Sequence, residues 1–157
     1  MHKLLKLYNK VNQFGRMMNM ELEVVRPGEI IYTMPISEQH LSNPYAAHGG
    51  AVAALMDAVL GVAALSLAVE NDNLVSTVEF KINYFRPVKP GDVLVGHGKV
   101  DFAGNRLISV SGEILHAESR ETLAKGNGTF NQYPAHKLNF DNAPENQDSD
   151  LPRGGGT

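Results

Sequence analysis

One acid stands inside an otherwise apolar stretch of this chain. After His48-Gly49-Gly50 comes Ala51-Val52-Ala53-Ala54-Leu55-Met56, then Asp57, then Ala58-Val59-Leu60-Gly61-Val62-Ala63-Ala64-Leu65. A helix that is apolar on every face has to be buried all round, so the rest of the chain must supply a surface that wraps it. A carboxylate in such a setting costs several kcal/mol unless it is paired or serves the chemistry. Two glycines stand where the helix begins. The first N–H groups of a helix have no internal partner and favour negative charge. An acid and free N–H donors on one helix are the parts needed to attack a carbonyl.

The chain has 157 residues, enough for one domain with a sizeable core, and its 43% hydrophobic and 20% charged residues are ordinary for a globular protein. A formal net charge of −3 argues against nucleic acid or an anionic membrane as the main partner. The absence of cysteine excludes disulfides, thiolate metal sites and cysteine nucleophiles. Lys3, Lys6 and Lys10 interrupt the N-terminal segment, which does not read as a signal peptide. A cytoplasmic location is therefore the expectation. Residues 51–69 are long and apolar enough to raise a membrane span. Asp57 would then lie within the bilayer, the run is rich in Ala and Gly rather than Leu and Ile, and the remainder reads as soluble strands. No membrane is expected.

Leu4, Leu7, Tyr8, Val11 and Phe14 fall at helical spacing, predicting one short amphipathic helix over 3–14 that ends at Gly15. Strands over 20–25 and 29–36 flank the turn Arg26-Pro27-Gly28-Glu29. A loop from Ser37 to Ala47 leads to the central helix, about 49–69, which stops at Glu70-Asn71-Asp72-Asn73. Four strands follow, over 74–85, 92–101, 106–117 and 121–132. In the first of them Val75, Thr77, Glu79, Lys81 and Asn83 alternate with Ser76, Val78, Phe80, Ile82 and Tyr84. From Pro134 the chain is polar and rich in Pro and Gly, so the expectation is a single domain over 1–133 and a tail over 134–157. Strands run together around a segregated helix indicate an α+β fold with an antiparallel sheet.

At three blocks the chain resembles the hotdog-fold acyl-CoA thioesterases, the PaaI-like (phenylacetic-acid-pathway) type above all. The first is His48-Gly49-Gly50 with Asp57 nine positions after the His; the second runs from Ser76-Thr77-Val78-Glu79-Phe80 to Arg86-Pro87 and Gly91-Asp92; the third is Gly104-Asn105-Arg106. The resemblance covers roughly residues 10–133. It implies a hotdog fold, an antiparallel sheet of five to six strands wrapped around one long central helix. It makes Asp57 the catalytic carboxylate, general base or nucleophile. It assigns carbonyl polarisation to the backbone N–H groups of Gly49 and Gly50, and water holding to the Thr77 hydroxyl. Asn43 is the candidate for substrate orientation, although it stands five positions before His48 where the family commonly has six. The resemblance also implies a homodimer, often paired again into a tetramer. Its sites are shared: Asp57 from one subunit, and His48-Gly49-Gly50 with Asn43 from the other.

The residues carry part of this independently. Asp57 lies seven positions after Gly50, about 10 Å along a helix axis, so one subunit does not easily bring both ends to one carbonyl. His48 reads as a residue that fixes the glycine turn rather than as the base. Arg86 and Arg106 are the expected contacts for CoA phosphates, because guanidinium suits phosphate geometry. No His, Asp and Glu grouping has metal-ligand spacing, and no cofactor is implied. The expected activity is hydrolysis of an acyl-CoA thioester. The alternatives are a non-catalytic acyl-CoA or ligand-binding protein, and an enoyl-thioester hydratase or dehydratase on the same fold. The hydratase would need a His poised near the acid, and none stands five or so residues after Asp57.

Overall fold

The computed structural model describes residues 1–138. Its central element is the helix α3 (Gly49–Ala68), built mainly from Ala, Leu, Val and Met. His48 is its N-cap, and the ring Nδ1 accepts the Gly50 N–H at 2.8 Å. The helix ends in a 3₁₀ turn (Val69–Asn71) closed by Asp72 in the left-handed region, φ 53°. The shorter helices α1 (Lys3–Val11) and α2 (Gln13–Met17) precede it. The expected single helix over 3–14 is thus broken at Asn12. That residue leaves helical geometry and turns its side-chain Oδ1 onto the Gly15 N–H at 2.9 Å, starting a new helix instead of continuing the old one.

The strands are β1 (Glu21–Arg26), β2 (Glu29–Pro35), β3 (Leu41–Asn43), β4 (Ala46–Ala47), β5 (Asn73–Tyr84), β6 (Val93–Ala103), β7 (Leu107–His116) and β8 (Thr122–Pro134). Six of them form one antiparallel sheet in the order β1-β2-β6-β7-β8-β5. The expected loop 37–47 instead holds a 3₁₀ turn (Glu38–His40) and the ribbon β3–β4. His40 is buried there, with Nδ1 taking the Ser37 N–H at 3.0 Å and Nε2 3.1 Å from the Met18 carbonyl oxygen. β8 runs one residue into the expected tail, and Ala135 donates its N–H to the Asp72 carbonyl at 2.9 Å. Residues 139–157 of that tail lie outside the described residues.

The sheet curls around α3 closely enough that side chains have been removed along one row. Gly98, Gly112 and Gly126 are consecutive register partners on β6, β7 and β8. A Cβ on Gly98 would overlap the Val59 carbonyl of the helix. Leu55, Met56, Val59, Leu60, Ala63 and Ala64 are fully buried beneath this surface. The helix is long and apolar enough to cross a membrane, but two thirds of that stretch is buried within the fold.

Burial of α3 is not complete, contrary to the expectation from its apolar sequence. Ala53, Ala54, Asp57, Ala58 and Gly61 are only half-buried and Gly50 is exposed. These positions recur every three to four residues, so they form one stripe. The stripe faces a cavity that α1, α2 and β5 help to line.

Candidate active site

The cavity of about 490 Å³ is lined by the stripe from Gly50 to Leu65, by Val75, Ser76, Thr77 and Phe80 of β5, by Phe130, and by Tyr8, Asn12, Phe14, Gly15 and Met20. Asp57 is the one carboxylate among the described residues that line it. The Thr77 hydroxyl donates to Asp57 Oδ1 at 3.1 Å.

That contact depends on a break in strand periodicity. In the β5–β8 ladder Thr77 pairs with Phe130 but Glu79 pairs with Thr129, so Val78 is an extra residue, a β-bulge. Strict alternation puts Thr77 on the face of Glu79, Lys81 and Asn83. With the bulge, Thr77 instead joins the face of Phe80, Ile82 and the buried Phe130, toward the helix. A one-residue insertion therefore aims the hydroxyl at the acid.

The N-terminus of α3 forms a second, smaller concavity of about 300 Å³, lined by Gly49, Val52, Tyr84, Phe85 and Arg86 among others. The Tyr84 hydroxyl donates to the Gly49 carbonyl at 2.8 Å. The Gly50 N–H is occupied by His48, so of the two expected donors only Gly49 presents an N–H without an acceptor among the described residues. The His48 ring is therefore turned onto the helix start.

The remaining expected site residues lie apart. Asn43 ends β3, where its Oδ1 accepts the Tyr45 N–H at 2.9 Å and its Nδ2 donates to Ser42 Oγ at 3.3 Å. It does not line the Asp57 cavity. Arg86 is half-exposed beside Glu121, Nε to Oε1 3.8 Å. Arg106 lines a corner with Asn73, Asn105, Asn131 and Lys137. Arg86 follows the C-terminal end of β5, whereas Arg106 sits beside its N-terminal end, and a 12-residue strand spans about 40 Å. The sequence reading missed the α1–α2 wall. Tyr8 was legible only as part of an amphipathic face, and nothing in that pattern says which element the face covers.

One apolar helix wrapped by this six-stranded antiparallel sheet is the hotdog fold. The sequence model of the thioesterase superfamily matches residues 46–123, from β4 to the start of β8. A candidate esterase of Caenorhabditis elegans is 30% identical over 106 residues, 68% of this chain and 62% of that protein, so the chain spans less than two thirds of that relative. Human acyl-coenzyme A thioesterase 13 is 26% identical over 130 residues, 82% of this chain and 91% of its own length. Among solved structures, the E. coli PaaI protein from the phenylacetic acid degradation operon superposes with a TM-score of 0.75, at 20% identity, covering 82% of this chain and 89% of that one. A hypothetical thioesterase protein of Streptococcus pneumoniae, solved with coenzyme A, gives 0.70 at 21% identity, covering 83% and 97%. Over residues 46–123 the chain carries the sequence pattern of the thioesterase superfamily, on a hotdog fold, and the class that fold and pattern define is thioester hydrolase.

Proposed function

We propose that this protein hydrolyses acyl-CoA thioesters at sites shared between two copies of the chain, with Asp57 as general base. The observation that carries the reading is the Asp57–Thr77 pair in the wall of a cavity that is otherwise mostly apolar. Thr77 holds one carboxylate oxygen, which leaves the other to take a proton from water. The water oxygen attacks the thioester carbon as that proton moves to Asp57. The oxyanion that forms is stabilised by the Gly49 N–H at a helix N-terminus. The C–S bond then breaks, and the proton on Asp57 passes to the departing thiolate.

Gly49 and Asp57 are eight residues apart on one helix, about 12 Å along its axis. They cannot close on the same carbonyl, so the donor comes from the partner's Gly49. β5 supports this arrangement. It is a 12-residue edge strand with no neighbour on its outer side among the described residues, and Val78, Tyr84 and Phe85 on or beside it are exposed. A long edge of this kind is a template for another strand. Antiparallel pairing of two β5 strands would lay the Arg86 end of one chain beside the Arg106 end of the other, where both cations can reach one CoA. The names of the human relative and of the coenzyme A-bound neighbour support CoA as the carrier.

The test is thiol release from a panel of aryl and aliphatic acyl-CoA thioesters, read with a thiol reagent against a cysteine-free protein. Hydrolysis that falls at least about a hundredfold in Asp57→Asn, with fold and sedimentation unchanged, is the expected result. Thioesters that bind but are not cleaved would point to a binding protein, and hydration of an enoyl thioester to the hydratase.

A further inference from the structure

We infer that Tyr8, presented by the N-terminal helix α1, is a positioning residue for Asp57, holding through one water the carboxylate oxygen that Thr77 leaves open. The inference rests on the thioesterase reading above for its catalytic consequence, but the contact itself does not.

Tyr8 of α1 and Asp57 of α3 line the same cavity. Asn12, one turn after Tyr8, donates its Nδ2 to the Tyr8 oxygen at 3.3 Å. Asn12 is itself fixed, because its Oδ1 caps α2 on the Gly15 N–H. With the Tyr8 oxygen serving as acceptor, its proton is free to be given, and no acceptor takes it among the described residues. Among the described residues, the carboxylate of Asp57 receives one bond, from Thr77 to Oδ1. A carboxylate held at one oxygen turns about a broad terminal torsion; held at both, it keeps its plane. A general base needs that plane fixed on the water it deprotonates.

The phenol suits the task because it stays protonated. Burial, and then the charge of Asp57, push its titration above the ordinary value for tyrosine. The other titratable group facing Tyr8 is Tyr32 of β2. It is fully buried, its hydroxyl has no partner among the described residues, and burial and its proximity to Tyr8 push it up as well. Tyr8 is thus a donor across the whole working range of pH, and the base is the one charged group among the described residues that line the cavity.

Two measurements test this. The first uses no substrate: the ring carbons of the five tyrosines are followed by NMR through alkaline pH, with Tyr8→Phe assigning the Tyr8 signal, in the wild type and in Asp57→Asn. The Tyr8 titration is expected above that of free tyrosine and shifted to lower pH in Asp57→Asn. A Tyr8 titration that ignores the Asp57 substitution overturns the contact. The second is kinetic. Tyr8→Phe is expected to lower kcat about tenfold with KM within about twofold, and to cause no further fall when added to Asp57→Asn. An unchanged kcat, or the same fall in both backgrounds, overturns the positioning role. A wild type that hydrolyses no thioester while the titration shift is present sinks the catalytic reading and leaves the Tyr8–Asp57 contact standing.

Discussion

Thr77 reaches Asp57 with a hydroxyl that a threonine shares with few isosteres, so its contribution can be separated from its bulk. Thr77→Val keeps the branched shape that suits a strand and removes the donor to Oδ1. Loss of one hydrogen bond to a charged group is worth about 1.5–3 kcal/mol. The expected result is a fall in kcat of about tenfold or more, with the melting temperature little changed because the site is open to water; an undiminished kcat would remove Thr77 from the mechanism. Asp57 itself was legible from sequence, since an acid in an apolar run is costly without a purpose. The resemblance also named Thr77 as a site residue, but the residue pattern alone did not bring its hydroxyl to the acid. Thr77 sits in a strand whose alternation, taken at face value, turns it away from the helix, and only the inserted Val78 turns it back. Bulges leave little trace in a pattern of period two, because the residues on either side still alternate.

Elements meet most tightly where the sheet passes over the middle of α3. The glycine row on β6, β7 and β8 lets the strand backbones lie against helix atoms, with the Val59 carbonyl beneath Gly98. Adding a methyl there cannot be absorbed by a rotamer, since the neighbour is backbone. Gly98→Ala should therefore cost about 1–3 kcal/mol or more, read as a lower denaturant midpoint; a midpoint equal to the wild type would mean that the sheet relaxes away from the helix. The number, order and type of the main strands and of α3 were readable, because each is long and strongly patterned. The break of the N-terminal helix at Asn12 was not. Leu4, Leu7, Tyr8, Val11 and Phe14 keep helical spacing across the break, and a capping side chain overrides that periodicity locally. Where α1 and α2 dock was hidden for a related reason: an apolar stripe names its own buried face but not the surface that covers it.

At the scale of the whole molecule the question is whether one chain suffices. Gly49 is the first residue of α3, and its N–H is the donor left free at the helix start. Proline is well accommodated at this position, where the missing N–H has no helical partner. His48 already has φ −65° and ψ 135°, the geometry favoured before proline. A Cβ at position 49 would meet only the Tyr84 ring at 3.7 Å, an ordinary contact. Gly49→Pro thus removes the proposed oxyanion donor while leaving the helix in place. It should lower kcat by about a hundredfold to a thousandfold. Asp57→Asn disables the other half. If the two halves come from different subunits, mixing the inactive variants at equal concentration and allowing the subunits to exchange makes half the dimers mixed. Each mixed dimer then carries one intact site and one doubly disabled site, so activity should return to about a quarter of the wild-type value. If a single chain carried both groups to one carbonyl, every site in the mixture would still lack one of them, and no activity would return at any ratio. Recovery in this assay, with a mass of two chains by sedimentation, would establish both the β5-edged dimer and the division of labour between Asp57 and the partner's Gly49.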